Sequence, residues 1–80
     1  MRVEVSLFAT LAAYLPPDAA GDRVVLDVPA GSTVRQVVRS FAIPAQYEFV
    51  TVVNGLDVPP EHVLVDGDAL TLFPPLAGGR

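Results

Sequence analysis

Eighty residues, 51 % of them hydrophobic and with a mean hydropathy of +0.47, suffice for one densely packed domain and leave no room for a second core. Nine acidic residues against five arginines and no lysine give a net charge of −4. Such a chain lacks the clustered basic surface that nucleic acid demands; a partner with a basic docking surface fits better, although the same charge would also keep a small apolar domain soluble. Without cysteine there is no disulfide, thiolate metal site, iron–sulfur cluster or cysteine nucleophile.

Arg2 to Phe8 alternates polar and apolar residues, the period of a strand with Val3, Val5 and Leu7 facing a core. That alternation argues against a signal segment, and no stretch approaches the ~20 apolar residues of a membrane span. A soluble, cytoplasmic protein is expected. Ala9 to Leu15 suits a short helix or helical turn, which Pro16-Pro17 stops. Asp18 to Asp22 reads as a loop and Arg23 to Val28 as a second strand, ended by Pro29-Ala30-Gly31.

Thr33 followed three residues later by Gln36 is a capping-box pattern. It opens a helix with Val34, Val37, Val38 and Phe41 on one face and Arg35, Arg39 and Ser40 on the other; Pro44 bars its continuation. Phe49 to Val53 is a β-branched strand, and Asn54-Gly55 is a hairpin turn because both residues tolerate positive φ. Leu56-Asp57-Val58 forms the return strand, Asp66-Gly67-Asp68 a further turn, and Ala69 to Phe73 the last strand. Pro74-Pro75 ends it and leaves Leu76-Ala77-Gly78-Gly79-Arg80 as a tail. The order is α+β: one sheet covered by one main helix. Residues 1–75 are expected to form the domain and residues 76–80 a flexible tail.

The remaining polar residues suggest no site. His62 is the sole histidine, has no metal-ligating companion, and reads as a surface loop residue. Asp66 and Asp68 flank Gly67 like half a calcium loop without the other ligands, hence a turn. Arg35 and Arg39 lie one helical turn apart on a solvated face. If Val3, Val5, Leu7, Leu70 and Leu72 face the helix, parity puts Phe8 and Phe73 on the opposite side of the sheet, with Phe49 and Val53 as candidates to join them. Such a patch would be either an aromatic docking anchor or the cover of a small secondary core.

Several segments together resemble the MoaD/ThiS family of ubiquitin-like sulfur carriers, MoaD more closely than ThiS. They are Val5-Ser6-Leu7-Phe8-Ala9-Thr10-Leu11, Pro29-Ala30-Gly31-Ser32-Thr33-Val34, Val53-Asn54-Gly55, Asp66-Gly67-Asp68 and Leu72-Phe73-Pro74-Pro75-Leu76-Ala77-Gly78-Gly79. The resemblance implies a ubiquitin-like β-grasp fold, with one mixed sheet of four to five strands on one main helix and a flexible Gly-Gly tail. It also implies that the chain is not itself an enzyme and binds no cofactor. An E1-like adenylyltransferase of the MoeB/ThiF kind would use ATP to adenylate the Gly79 carboxylate. A sulfurtransferase would then convert that carboxylate to a thiocarboxylate, to be delivered to an acceptor enzyme. For MoaD proteins that acceptor is the large subunit of molybdopterin synthase, in molybdenum cofactor biosynthesis. Gly78 and Gly79 would enter the partner's channel, with Phe8, Phe73, Pro74, Pro75, Leu76 and Ala77 contacting the partner.

Arg80 departs from the family pattern, because the reacting carboxylate belongs to the second glycine. A trimmed precursor, an added residue and a relative without carrier chemistry all accommodate it, and the first is the expectation adopted. The rival functions are a carrier for another acceptor, as in thiamine or cysteine synthesis, a ubiquitin-like protein modifier, and a β-grasp binding module without tail chemistry.

Overall fold

The computed structural model describes residues 1–44 and 46–75, so the expected flexible tail at 76–80 lies outside the described residues. Five strands form one mixed sheet: β1 (Arg2–Leu7), β2 (Arg23–Asp27), β3 (Val50–Val53), β4 (Leu56–Asp57) and β5 (Ala69–Phe73). Their order across the sheet is β2-β1-β5-β3-β4. The β1 strand runs antiparallel to β2 and parallel to β5, while β3 is antiparallel to both β5 and β4. The first and last strands of the domain are therefore central neighbours, in the register Val5↔Leu70 and Leu7↔Leu72.

Strand parity builds the core. Val3, Val5 and Leu7 of β1 and Leu70 and Leu72 of β5 are at most 1 % exposed and face one helix, α1 (Val34–Arg39), which contributes Val34 and Val37. Leu11, Val24, Phe41, Val53 and Leu64 complete this cluster. Each fully buried aliphatic side chain of this kind contributes on the order of 1.5–3 kcal/mol.

The helix begins where the sequence places it. Thr33 Oγ1 accepts the Gln36 backbone N–H at 3.3 Å and Gln36 Oε1 accepts the Thr33 N–H at 2.8 Å. The two other first-turn donors are also satisfied: Val34 N–H reaches the His62 carbonyl at 3.0 Å and Arg35 N–H the Pro60 carbonyl at 2.9 Å. Six residues of helix are too few to be stable alone, so packing of Val34 and Val37 holds α1 in place. It is shorter than the apolar spacing through Phe41 suggests. Ser40, Phe41 and Ala42 each donate to the carbonyl three residues back, and Ala42 adopts φ 56°, which turns the chain away ahead of Pro44. Thr33→Ala should therefore cost about 1 kcal/mol, which thermal unfolding would register as a midpoint lowered by roughly 4–8 °C.

The Ala9-to-Leu15 segment is a 3-10 helix, Ala9–Tyr14, packed against β1 and β5 through Leu11. Asn54 and Gly55 both adopt positive φ, 52° and 86°, as the hairpin requires. The expectation that Phe49 and Val53 join Phe8 and Phe73 is corrected. Val53 pairs with Leu70 and is 5 % exposed, and Phe49 packs against the core just before β3 begins. This register sends Thr51 and Val53 inward and Val50 and Val52 outward. Inward-facing Thr51 is satisfied by donating its hydroxyl to the Val58 carbonyl at 2.6 Å.

Candidate functional site: the tail root and the open sheet face

The last strand delivers the chain to the site. Phe73 is the final residue of β5, opposite Val50, and Pro74 and Pro75 follow it directly. Proline fixes φ near −65° and lacks an N–H, so neither residue can extend the ladder on its donor side. Pro74 is half-buried and Pro75 exposed. Gly78 and Gly79, with Leu76, Ala77 and Arg80, lie outside the described residues.

Phe8 and Phe73 are brought together. The parallel pairing Leu7↔Leu72 places each phenylalanine one residue further along adjacent strands, and Phe8 N–H donates to the Leu72 carbonyl at 3.1 Å. Phe8 keeps an extended backbone (φ −109°, ψ 159°), so its side chain leaves opposite to buried Leu7. The two rings are 39 % and 37 % exposed, so neither is sealed into a secondary core. Half-buried Val50, Val52 and Thr71 share the face of Phe73 by register, as does Val25 at 58 % exposure on β2. Sequence reasoning missed the three valines; parity would have found Val50 and Val52 once β3 was paired with β5. Flanking this end of the sheet, the Tyr14 and Tyr47 rings meet edge to face at 6.0 Å and 61°. Hydrogen bonding to Tyr47, then desolvation and then the Tyr47 charge, raise the Tyr14 pKa above the ordinary tyrosine value.

The other singled-out residues are separate from this site. His62 is half-buried and its carbonyl caps α1. Arg35 pairs with Glu61 at 3.1 Å, and Arg39 is exposed on the same helix. The 66–68 segment is a turn, with Gly67 at φ 89°. Asp68 within it is 6 % exposed and hydrogen-bonded, a role that sequence reasoning did not see. Among the described residues no group of three or more His, Asp or Glu side chains could hold a metal ion, and no helix is long and apolar enough to cross a membrane.

Comparison with known proteins agrees with this geometry. The family model described as "ThiS family" matches residues 5–79, a span that includes Gly78 and Gly79. No curated protein matches the chain. Among solved structures, SAMP1 from Haloferax volcanii superposes with a TM-score of 0.75 at 25 % identity, covering 99 % of this chain and 100 % of that one. A second structure, of H. volcanii small archaeal modifier protein 1, gives 0.74 at 25 % identity over 94 % and 98 % of the two chains. A Pyrococcus furiosus protein assigned as molybdopterin converting factor, subunit 1, gives 0.73 at 25 % identity over the same shares. The fold is thus the ubiquitin-like β-grasp, and the chain belongs to the ThiS family, whose ubiquitin-like members are sulfur carriers or modifiers.

Proposed function

We propose that this protein is a sulfur carrier whose Gly79 carboxylate is adenylated and then converted to a thiocarboxylate, and that it serves as the small subunit of molybdopterin synthase. The observation that carries this reading is the family match running through Gly79, at the end of a strand that presents Phe73-Pro74-Pro75. The carrier is a co-substrate, not a catalyst. A carboxylate is a poor acyl donor until adenylation supplies a leaving group, so it must reach the active site of an E1-like adenylyltransferase that uses ATP. Gly78 and Gly79 carry no side chain and suit a narrow channel. Fixing them costs roughly 1–2 kcal/mol per residue, and Pro74 and Pro75 lower the total by restricting the tail root beforehand. A sulfurtransferase supplies the sulfur, and the synthase large subunit accepts it in the cytoplasm.

Likeness to a small archaeal modifier protein favours a second reading, in which Gly79 is joined to amines of other proteins. Intact mass of the protein isolated from its host separates the two. A Gly79-ended chain heavier by one oxygen-to-sulfur exchange is expected for the carrier, and a ladder of larger covalent adducts without it would overturn that reading.

The exposed Phe8–Phe73 pair is the proposed anchor for the activating enzyme. Phe73→Ala should weaken that association about tenfold, a loss of about 1.4 kcal/mol typical of an aromatic interface anchor. Calorimetric titration would check this; an unchanged affinity would remove Phe73 from the docking surface.

A further inference from the structure

Among the described residues, three that are not glycine adopt a left-handed backbone: Ala9 at φ 55°, Ala42 at 56° and Asn54 at 52°. Two of them have an ordinary cause. Asn54 opens the β3–β4 hairpin, and Ala42 turns the chain away just past α1, where helices commonly take this conformation. Ala9 has neither cause. It follows no α-helix and closes no hairpin, and it is exposed, so packing of its own methyl group does not compensate for the clash of Cβ with the backbone.

The neighbours of Ala9 hold it in place. Phe8, still extended, donates its N–H to the Leu72 carbonyl at 3.1 Å and so stays on the last rung between β1 and β5. The Phe8 carbonyl accepts the Leu11 N–H, also at 3.1 Å, which closes a turn over Ala9 and Thr10. Leu11 is 1 % exposed in the main core, whereas the Phe8 side chain leaves on the opposite face from buried Leu7. Ala9 and Thr10 alone must carry the chain from one side to the other. A strand continued past Phe8 would leave Leu11 about 10 Å further along at the rise of a β-strand, outside the core. Positive φ at Ala9 reverses the chain at once, and burial of Leu11 offsets the strain.

We propose that Ala9 is a positioning residue, whose left-handed turn, locked by Leu11, fixes Phe8 in the orientation that a docking partner meets. The inference rests on the reading of Phe8 and Phe73 as the docking anchor. Phe8 is fastened on both sides, to Leu72 through its N–H and to Leu11 through its carbonyl. An aromatic anchor held in this way enters an interface with little ordering left to do. Were the turn to open, Phe8 would keep only its bond to Leu72.

Variants of residue 9 separate backbone conformation from side-chain contact. Glycine takes positive φ without steric cost, whereas β-branched valine is an outlier there. Ala9→Gly should keep or raise the midpoint of thermal unfolding, keep exchange of the Phe8 amide slow, and bind purified activating enzyme as the unmodified chain does. Ala9→Val should speed Phe8 amide exchange and weaken that binding, each about tenfold, while the amides of Glu4 and Leu7 stay protected. A turn with a structural role alone would lower the unfolding midpoint of Ala9→Val without this loss of affinity in the folded protein, and that result would overturn the proposal. Equal weakening by Ala9→Gly would also overturn it, because the methyl group itself would then be what the partner meets. Phe8→Ala, titrated alongside, tells the two readings apart. If Phe8→Ala binds like the unmodified chain, the docking role of Phe8 has failed and the proposal with it. If it binds weakly while Ala9→Val does not, the positioning role of Ala9 alone has failed. Where Ala9→Val does not fold, the one-bond Cα–Hα coupling of Ala9 in the unmodified chain still decides, since it separates positive from negative φ, and a negative φ would overturn the proposal.

Discussion

A chain ending at Gly79 is expected to be adenylated by its E1-like partner, and a chain that carries Arg80 is not. The reacting group is a free carboxylate, and with Arg80 attached the Gly79 carbonyl is an amide with no oxyanion to attack ATP. In a test protein made to end at Arg80 the free carboxylate is displaced by one residue, about 3.3–3.6 Å in an extended chain. The tail also gains a long guanidinium side chain, which a channel fitted to Gly-Gly has no room for. A misplacement of even 1 Å can cost on the order of 100-fold in rate, so activation of the Arg80 form should fall by at least that factor. ATP–pyrophosphate exchange with purified activating enzyme measures this directly on the two forms. Equal exchange by intact Arg80 protein would show that Gly79 is not the activated residue, and the carrier reading would fail with it. Gly79→Ala in a chain trimmed of Arg80 adds a single Cβ and should be impaired too, by a smaller factor than retention of Arg80.

Those features of the fold that depend on near neighbours were legible in the residues. Alternation of Val3, Val5 and Leu7 with Glu4 and Ser6 marked β1, Thr33 with Gln36 marked the start of α1, and Asn54-Gly55 marked the hairpin. The end of α1 was less clear, because Phe41 keeps the helical spacing yet reaches the core from a turn beyond the last helical residue. What local pattern could not supply was register. Whether Val53 faces core or solvent depends on its pairing with Leu70, seventeen residues away, and a one-residue slip would have reversed every assignment on β3. The same gap hid the valines beside Phe73. The role proposed for Gly78 and Gly79 rests on their place at the end of the family match and after Pro74-Pro75, not on the residue types alone. The burial of Asp68 was hidden for the opposite reason. An aspartate beside glycine reads as an ordinary exposed turn, and only the crossing of β1, the β3–β4 hairpin and the 65–68 turn surrounds it with donors.

Asp68→Ala is expected to destabilise the domain by about 2–4 kcal/mol, a large part of the 5–15 kcal/mol total of a typical domain. The Asp68 carboxylate accepts from Asn54 Nδ2 at 2.9 Å and from Val65 N–H at 2.8 Å, while Asn54 Oδ1 accepts the Ala69 N–H at 3.0 Å. The Asp68 backbone carbonyl takes the Glu4 N–H at 2.9 Å, and Gly67 N–H donates to the Arg2 carbonyl at 2.8 Å. One buried carboxylate thus joins the hairpin turn to the 65–68 turn, at the point where β5 enters the sheet beside β1. Removing it leaves the part-buried Asn54 Nδ2 and Val65 N–H without their acceptor, which costs more than the net value of the bonds themselves. Asp68→Asn keeps the shape and one acceptor and should cost less than Asp68→Ala. Asn54→Gly removes the partner side chain, and with it the acceptor of the Ala69 N–H, while tolerating φ 52°, so only the double-variant comparison isolates the Asn54–Asp68 contact. Urea unfolding of both single variants and the double variant closes the cycle. Loss of stability in the double variant should fall short of the sum of the singles by about 1 kcal/mol or more, because each single change already breaks the shared link. Additivity within about 0.5 kcal/mol would mean that the two side chains act independently and that the link between the turns rests on the backbone bonds alone.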